Sequence, residues 1–328
     1  MPMEKNAYEE TIYCLLAVRL RMLLAQSRID PEGLQEIRLR AGKPLLLSYQ
    51  GQEFALNCDG MLSNCVEDDT CIVTGEEIAE TLEYISGYSL YAFSEELKQG
   101  FLTVPGGHRV GLSGRIVMEG DTVSCIRHIS FLNIRLAHQL RGCADLVLPY
   151  LFSEEGFCNT LIISPPGCGK TTLLRDIIRQ LSNGSKRQAG MTVGVVDERS
   201  EIAGSYLGVP QNDIGIRTDV LDCCPKRQGM MMLLRSMAPQ VIAVDEIGSL
   251  EDREALEYVK NCGCRLLATM HGYSFEDAAG RLTGSEMAAD DRGGVLPVFE
   301  RFVVLGKNPV GTVRMILDLK GNLLYRAS

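Results

Sequence analysis

The chain has 328 residues, 45% of them hydrophobic and 23% charged, which is enough for two domains that each bury a core. A formal net charge of −9 with a pI near 5.1 supplies no general attraction to nucleic acid or anionic lipid. The lack of tryptophan and only 6% aromatic residues argue against a stacking groove for single strands, and twelve cysteines without a C-x-x-C pair serve zinc poorly.

In chain order, residues 11–25 are the most apolar stretch, but Arg19 and Arg21 interrupt them well short of the roughly eighteen residues a membrane span needs. They read as an amphipathic helix packed on its own domain. No signal-peptide pattern precedes them, and the cysteines fit reduced thiols of a cytosolic protein. Short strands are expected at 35–39, 44–48 and 71–73, a helix at 75–86 and helical residues at 89–99. A hairpin over 100–117 turns at Pro105-Gly-Gly107. These elements make a smaller α+β domain over residues 1–140, joined through 140–150 to a second domain over 141–328.

The second domain opens with Thr160-Leu-Ile-Ile-Ser-Pro-Pro-Gly-Cys-Gly-Lys-Thr-Thr172, a buried strand, a glycine-bearing turn and a helix start. A phosphate loop needs inward-turned backbone N–H groups, a lysine that reaches the β/γ oxygens and a hydroxyl for Mg²⁺. Gly167, Gly169, Lys170 and Thr171 meet that demand. Ser164 replaces the usual opening glycine, which is tolerable only if the backbone there has no positive φ. The expected nucleotide contacts are Ser164, Pro165, Pro166, Gly167, Cys168, Gly169, Lys170, Thr171 and Thr172, with ATP and Mg²⁺ as ligands. Cys168 would make the loop sensitive to oxidation or alkylation.

Three further apolar runs end abruptly in polar residues. Residues 192–199 would deliver Asp197 and Glu198 to the nucleotide edge, and 265–271 would place Thr269 and His271 where a γ-phosphate can be sensed. Residues 241–246 end in Asp245 and Glu246 and look like a Walker B strand. In an open parallel sheet these strand ends converge, so Asp245 could share Mg²⁺ with Thr171 while Glu246 orients the attacking water. A strand-end carboxylate pair also serves as a helix N-cap, which is the plainer reading. Helices at 172–181 and 250–262, then strands at 298–305, 311–317 and 322–325 with a turn at Lys320-Gly-Asn322, complete an alternating α/β pattern closed by an antiparallel hairpin.

Residues 232–248, ending Val-Ile-Ala-Val-Asp-Glu-Ile-Gly, resemble the Walker B region of the secretion, pilus-retraction and type II/IV export ATPases, which are RecA-like ring motors. Val196-Asp-Glu-Arg199 takes the place of that family's Asp box, and Leu267-Ala-Thr-Met-His-Gly272 resembles its His box. Glu36-Ile-Arg-Leu-Arg-Ala-Gly-Lys-Pro-Leu45 and Gly107-His-Arg-Val-Gly-Leu-Ser-Gly-Arg115 resemble its N-terminal domain strands, so the likeness covers nearly the whole chain. The stretch from Val196 to Ala203, with Thr-Met-His-Gly, is similar to a sporulation branch of the family.

The resemblance implies a RecA-like P-loop core, mostly parallel sheet flanked by helices, hydrolysing ATP as a homo-hexamer. It also implies integral membrane proteins of an export or channel complex as partners, and a cytoplasmic place on the mother-cell side of a developing spore. No nucleic-acid partner and no membrane span are expected. Asp197 stands where many members carry Glu, and Asp245 where many carry Gly, so the catalytic carboxylate stays open among Glu246, Asp245 and Glu198.

Transition-state charge on a γ-phosphate is commonly neutralised by an arginine from a neighbour. Arg38, Arg40, Arg109, Arg115, Arg127 and Arg135 lie on predicted strands of the first domain, and the resemblance favours Arg109 and Arg115, with Arg235 behind them. For any one arginine the plainer reading is a surface or intradomain salt bridge. Two other functions share this core: a nucleic-acid-dependent ATPase and a nucleotide-binding scaffold with weak hydrolysis.

Overall fold

A computed structural model describes residues 12–87, 93–186, 188–283, 298–307 and 309–327, and the chain divides into two units, Met1–His138 and Gln139–Ser328. In the first unit, β1 (Leu34–Arg40), β2 (Leu46–Tyr49), β3 (Gln52–Leu56), β4 (Leu62–Ser63), β5 (Phe101–Val104), β6 (His108–Glu119) and β7 (Thr122–Arg135) form an antiparallel sheet. Its order is β4-β3-β2-β1-β7-β6-β5. Two-residue alternation in β1 buries Ile37 and Leu39 and turns Glu36, Arg38 and Arg40 to the other face. Helices α1 (Val18–Ser27), α2 (Gly75–Ile85) and α3 (Ser94–Gln99) complete the unit.

α2 starts at a reciprocal cap, in which the Glu77 N–H donates to Thr74 Oγ1 (3.2 Å) and the Thr74 N–H donates to Glu77 Oε2 (2.8 Å). The same Glu77 Oε2 receives Arg19 Nη2 at 3.0 Å, tying α1 to α2. Of the helix expected over 11–25, residue 11 lies outside the described residues, and 12–25 do not form a single helix. Ala17 has extended geometry (φ −51°, ψ 145°) and its N–H donates to buried Thr81 Oγ1 at 3.0 Å, so the helix begins one residue later, at Val18. The helical residues expected at 89–99 reduce to α3, because 88–92 lie outside the described residues.

The second unit is built on an eight-stranded sheet. Its strands are β8 (Thr160–Ser164), β9 (Val193–Asp197), β10 (Thr218–Asp222), β11 (Val241–Val244), β12 (Arg265–His271), β13 (Arg301–Leu305), β14 (Val313–Asp318) and β15 (Leu323–Arg326). They lie in the order β10-β9-β11-β12-β8-β13-β14-β15, parallel from β10 to β13 and antiparallel over the last two. The α/β core expected from the sequence, including its terminal hairpin, is therefore present. β8, β9 and β11 are buried at every position, as a parallel sheet covered on both faces requires.

The helices are α4 (Lys170–Asn183), α5 (Lys226–Ser236), α6 (Leu250–Asn261) and α7 (Phe275–Thr283). Leu161, Ile163, Met230, Leu233, Leu256 and Phe302 fill one side of the sheet. Ile162, Leu173, Leu174, Ile177, Val195 and Val303 fill the other. α5 lies close against β9 because Gly229 has no side chain: a Cβ there would meet Val196 Cγ1 at 2.4 Å.

Below the sheet, buried Asn159 joins three chain segments. Its Nδ2 donates to the Val298 carbonyl at 2.8 Å, its Oδ1 accepts the Leu266 N–H at 2.9 Å, and its own carbonyl accepts the Arg301 N–H at 3.0 Å. Replacing it orphans two buried backbone groups. Asn159→Leu is expected to lower stability by about 2–3 kcal/mol, read as an earlier urea midpoint at unchanged slope; an unmoved midpoint would show that the segments hold without it.

Candidate active site

Parallel register brings the polar strand ends together. Ser164 of β8 pairs with His271 of β12, and Val244 of β11 lies between Val196 of β9 and Ala268 of β12. Ser164 closes β8 fully buried and is absent from the positive-φ residues, which explains how serine replaces glycine there. The turn to α4 instead uses Gly167 (φ 72°) and Gly169 (φ 80°), conformations that cost glycine nothing. Gly169 is also the N-cap of α4 and has no side-chain cap, so the helix N-terminus presents its backbone N–H groups to the loop.

Lys170, the first residue of α4, is buried and donates to Glu246 Oε1 at 2.7 Å, with His271 Nε2 3.4 Å away. His271 Nε2 is also 3.0 Å from the same Glu246 oxygen, and Arg199 Nη1 donates to Glu246 Oε2 at 2.7 Å. Burial pulls the Glu246 carboxyl upward, but the Lys170 hydrogen bond and the charges of Lys170, Arg199 and His271 outweigh it and hold the carboxyl below its ordinary range. The Glu246 backbone sits in the left-handed region (φ 55°). Its N–H fixes it there by reaching Asp245 Oδ1 (3.0 Å) and Thr269 Oγ1 (2.9 Å).

Thr171 Oγ1 donates to Asp245 Oδ2 at 2.7 Å, and the Thr269 hydroxyl donates to the other Asp245 oxygen. Two hard oxygen donors, a hydroxyl and a carboxylate, therefore lie side by side next to the glycine-bearing turn. Among the described residues no group of three or more His, Cys, Asp or Glu could hold a metal. A site with few protein ligands fits Mg²⁺, which keeps most of its waters and takes substrate phosphates for the rest.

Asp197 departs from expectation. It is 2% exposed, and its two oxygens accept the backbone N–H groups of Glu201 (2.8 Å), Ile202 (3.0 Å) and Ala203 (2.8 Å). Its carboxylate braces the loop after β9. Burial is the largest influence on it and, against those N–H groups, pushes its pKa up to about 6. Glu198 forms an ion pair with Lys226 at the start of α5.

Arg109 and Arg115 lie on β6 of the first unit, Arg109 stacked 3.7 Å from the Phe101 ring centre and Arg115 opposite Arg127. Arg235 lies in the last turn of α5, along a groove shared with Glu198, Lys226 and Asp252. Cys168 is buried, which removes the solvent access that a reactive thiol in the loop would need.

Two cations, Arg199 and Arg175, carry contacts for which the sequence reading named no role. Arg175, one turn into α4, donates Nε to the Ile202 carbonyl and Nη2 to the Glu201 carbonyl, both at 2.7 Å. Its position four residues after Thr171, on the same helix face, was the available signal.

A glycine-bearing turn leading from a central parallel strand into a helix, with acidic and hydroxyl side chains on the adjoining strand ends, is the arrangement of the RecA-like class of folds. Solved structures agree. The fold matches the Legionella pneumophila ATPase DotB with a TM-score of 0.56 at 16% identity, over 88% of this chain and 75% of that one. It matches the pilus retraction motor PilT with bound ADP at 0.55 and 15%, over 86% and 77%. The chain belongs to the family of sporulation stage III, protein AA, whose sequence pattern it matches over residues 6–324. It is 42% identical over 297 residues to stage III sporulation protein AA of Bacillus subtilis (strain 168), covering 90% of each chain.

The raised Asp197 pKa has a defined sign. The folded chain holds that proton up to about pH 6 and the unfolded chain only to about 3.9, so the residue's contribution to stability falls as pH rises through this window. The difference in unfolding free energy between wild type and Asp197→Asn is expected to shrink by about 2 kcal/mol from pH 4 to pH 6.5. Parallel curves would mean that Asp197 keeps an ordinary pKa.

Proposed function

We propose that this chain hydrolyses ATP to ADP and phosphate and that the work drives a membrane-associated export or channel complex during sporulation. The observation that carries the reading is the pairing of Lys170 with Glu246 and of Thr171 with Asp245 at the ends of parallel strands. The phosphate loop from Ser164 to Thr172 would hold the phosphates through its backbone, with Lys170 turned to the β/γ oxygens. Glu246 then loses one nitrogen partner and keeps Arg199 and His271, which hold it in place. A carboxylate is ionised at neutral pH, so Glu246 can orient a water and accept the water's proton as the bond to the γ-phosphorus forms and the bond to the ADP oxygen breaks. Mg²⁺, held by Thr171 and through water by Asp245, would supply charge neutralisation on the phosphates.

The load is proposed from the family and from the motors that share the fold. The partners would be integral membrane proteins linking mother cell and forespore, and the working assembly a cytoplasmic homo-hexamer. No helix among the described residues is long and apolar enough to cross a membrane.

Nucleotide retention and phosphate release separate binding from chemistry. Lys170→Ala is expected to abolish both, whereas Glu246→Gln retains ATP and loses turnover on the order of 10²-fold or more. ATP retention by wild type without Lys170-dependent turnover would leave a scaffold, and strong stimulation by single-stranded nucleic acid would favour a nucleic-acid-dependent enzyme. Arg109 is proposed as a cation supplied by a neighbouring copy. Turnover per chain should then rise with protein concentration in wild type and stay flat and low in Arg109→Ala; identical behaviour of the two proteins removes that role.

A further inference from the structure

Two cations share one carboxylate at the strand ends. Lys170 Nζ reaches Glu246 Oε1 and Arg199 Nη1 reaches Glu246 Oε2, each at 2.7 Å, so their nitrogens stand no more than about 8 Å apart. They are held differently. Lys170 is buried at the start of α4, whereas the Arg199 side chain is 60% exposed. Among the described residues, Arg199 makes no side-chain hydrogen bond other than the one to Glu246. A guanidinium carries five N–H donors in a planar fork, so most of its donors are open to a second acceptor. The other cations close by are committed: Lys226, in the same small cleft with Asp245 and Glu246, pairs with Glu198, and Arg175 holds two backbone carbonyls.

The loop that carries Arg199 is indexed to α4. Arg175 projects from that helix one turn after Thr171 and takes the Glu201 and Ile202 carbonyls, while Asp197 accepts the N–H groups of Glu201, Ile202 and Ala203. Ser200, directly after Arg199, is held in the left-handed region at φ 53°. A non-glycine residue stays there only where its surroundings over-determine it. Arg199 therefore has a fixed root, tied to the helix that begins with Lys170, and an exposed head.

One carboxylate neutralises one of its two cations and leaves the other available to a second anion. Under the ATPase reading, Glu246 orients the water that attacks the γ-phosphorus, so a group bonded to Glu246 stands beside that phosphoryl group. A diphosphate ends one phosphoryl group short of it.

We propose that Arg199 is a catalytic and specificity-determining residue of its own chain's site: one nitrogen stays on Glu246 while another donates to a γ-phosphate oxygen, so the site distinguishes a nucleoside triphosphate from a diphosphate. The inference rests on the ATPase reading above. Arg199 gives up no proton. The water's proton goes to Glu246 and ADP departs with the bonding pair, while the guanidinium neutralises charge on the oxygens of the transferred group. Unlike a cation supplied by a neighbouring copy, Arg199 acts on binding even in dilute protein.

Equilibrium titration of the full-length chain with MgADP and with the Mg²⁺ complex of a non-hydrolysable ATP analogue, together with steady-state phosphate release, tests this in wild type, Arg199→Ala and Lys170→Ala. Arg199→Ala is expected to hold ADP within about twofold of wild type, which also shows it to be folded, and to bind the analogue at least about tenfold more weakly. Its turnover should fall on the order of 10²-fold or more. Added guanidinium ion should restore part of that turnover and none to Lys170→Ala. Failure of wild type to bind either nucleotide, or turnover indifferent to Lys170→Ala, would remove the ATPase reading and this inference with it. Where turnover does depend on Lys170, three results overturn the inference alone. Equal loss of ADP and analogue affinity would make Arg199 a brace of its loop, analogue affinity and turnover like those of wild type would make it a surface charge, and faster turnover would make it a restraint on Glu246.

Discussion

One carboxylate gathers the candidate site. Glu246 is reached by a lysine from the helix after the first parallel strand, a histidine from the end of β12 and an arginine from the loop after β9. Three elements remote in sequence meet on two oxygen atoms, which is possible only because β8, β9, β11 and β12 run the same way and end level. The left-handed backbone at Glu246 is part of this arrangement. A non-glycine residue with positive φ is unfavourable, and here the bridge from its N–H to Asp245 and Thr269 holds it in that conformation. The strain is local and the surrounding hydrogen bonds over-determine it.

The buried charges around this centre follow one rule, that each is satisfied by the backbone or by an opposite charge. Arg175 gives its guanidinium to two carbonyls of the loop whose N–H groups Asp197 accepts. Donor and acceptor side chains thus grip the same few peptide units from opposite sides. The loop they grip carries Arg199, so the pose of that cation on Glu246 is set by residues that touch neither. Burial lowers the Arg175 pKa, while Asp197 and Asp245 act in the opposite sense.

Most of the second unit was legible in the sequence, for a physical reason. Fully buried parallel strands appear as short β-branched runs that end abruptly, and Leu161 to Ile163 and Val241 to Val244 both have that form. The direction of a strand-end side chain was not legible. Asp197 and Asp245 look alike in the sequence, yet one turns back onto its own loop and the other onto Thr171. Edge elements were also obscure. β10 reads Thr-Asp-Val-Leu-Asp and is half-buried throughout, so it lacks the apolar run of its neighbours, and α5 begins at a lysine whose partner, Glu198, is distant in sequence. In the first unit, the break at Ala17 depends on Thr81, a contact that no local pattern encodes.

Cys168 lies within the glycine-bearing turn before α4, but its sulfur points inward, at 1% exposure, toward the Pro166 carbonyl. Cys14, Cys58, Cys65, Cys143, Cys223 and Cys262 are exposed. Thiol-directed probes would therefore partition by accessibility, decorating the outside of the molecule and sparing the loop. Fluorophores or spin labels could report on distances in a chain whose loop from Ser164 to Thr172 keeps its natural chemistry.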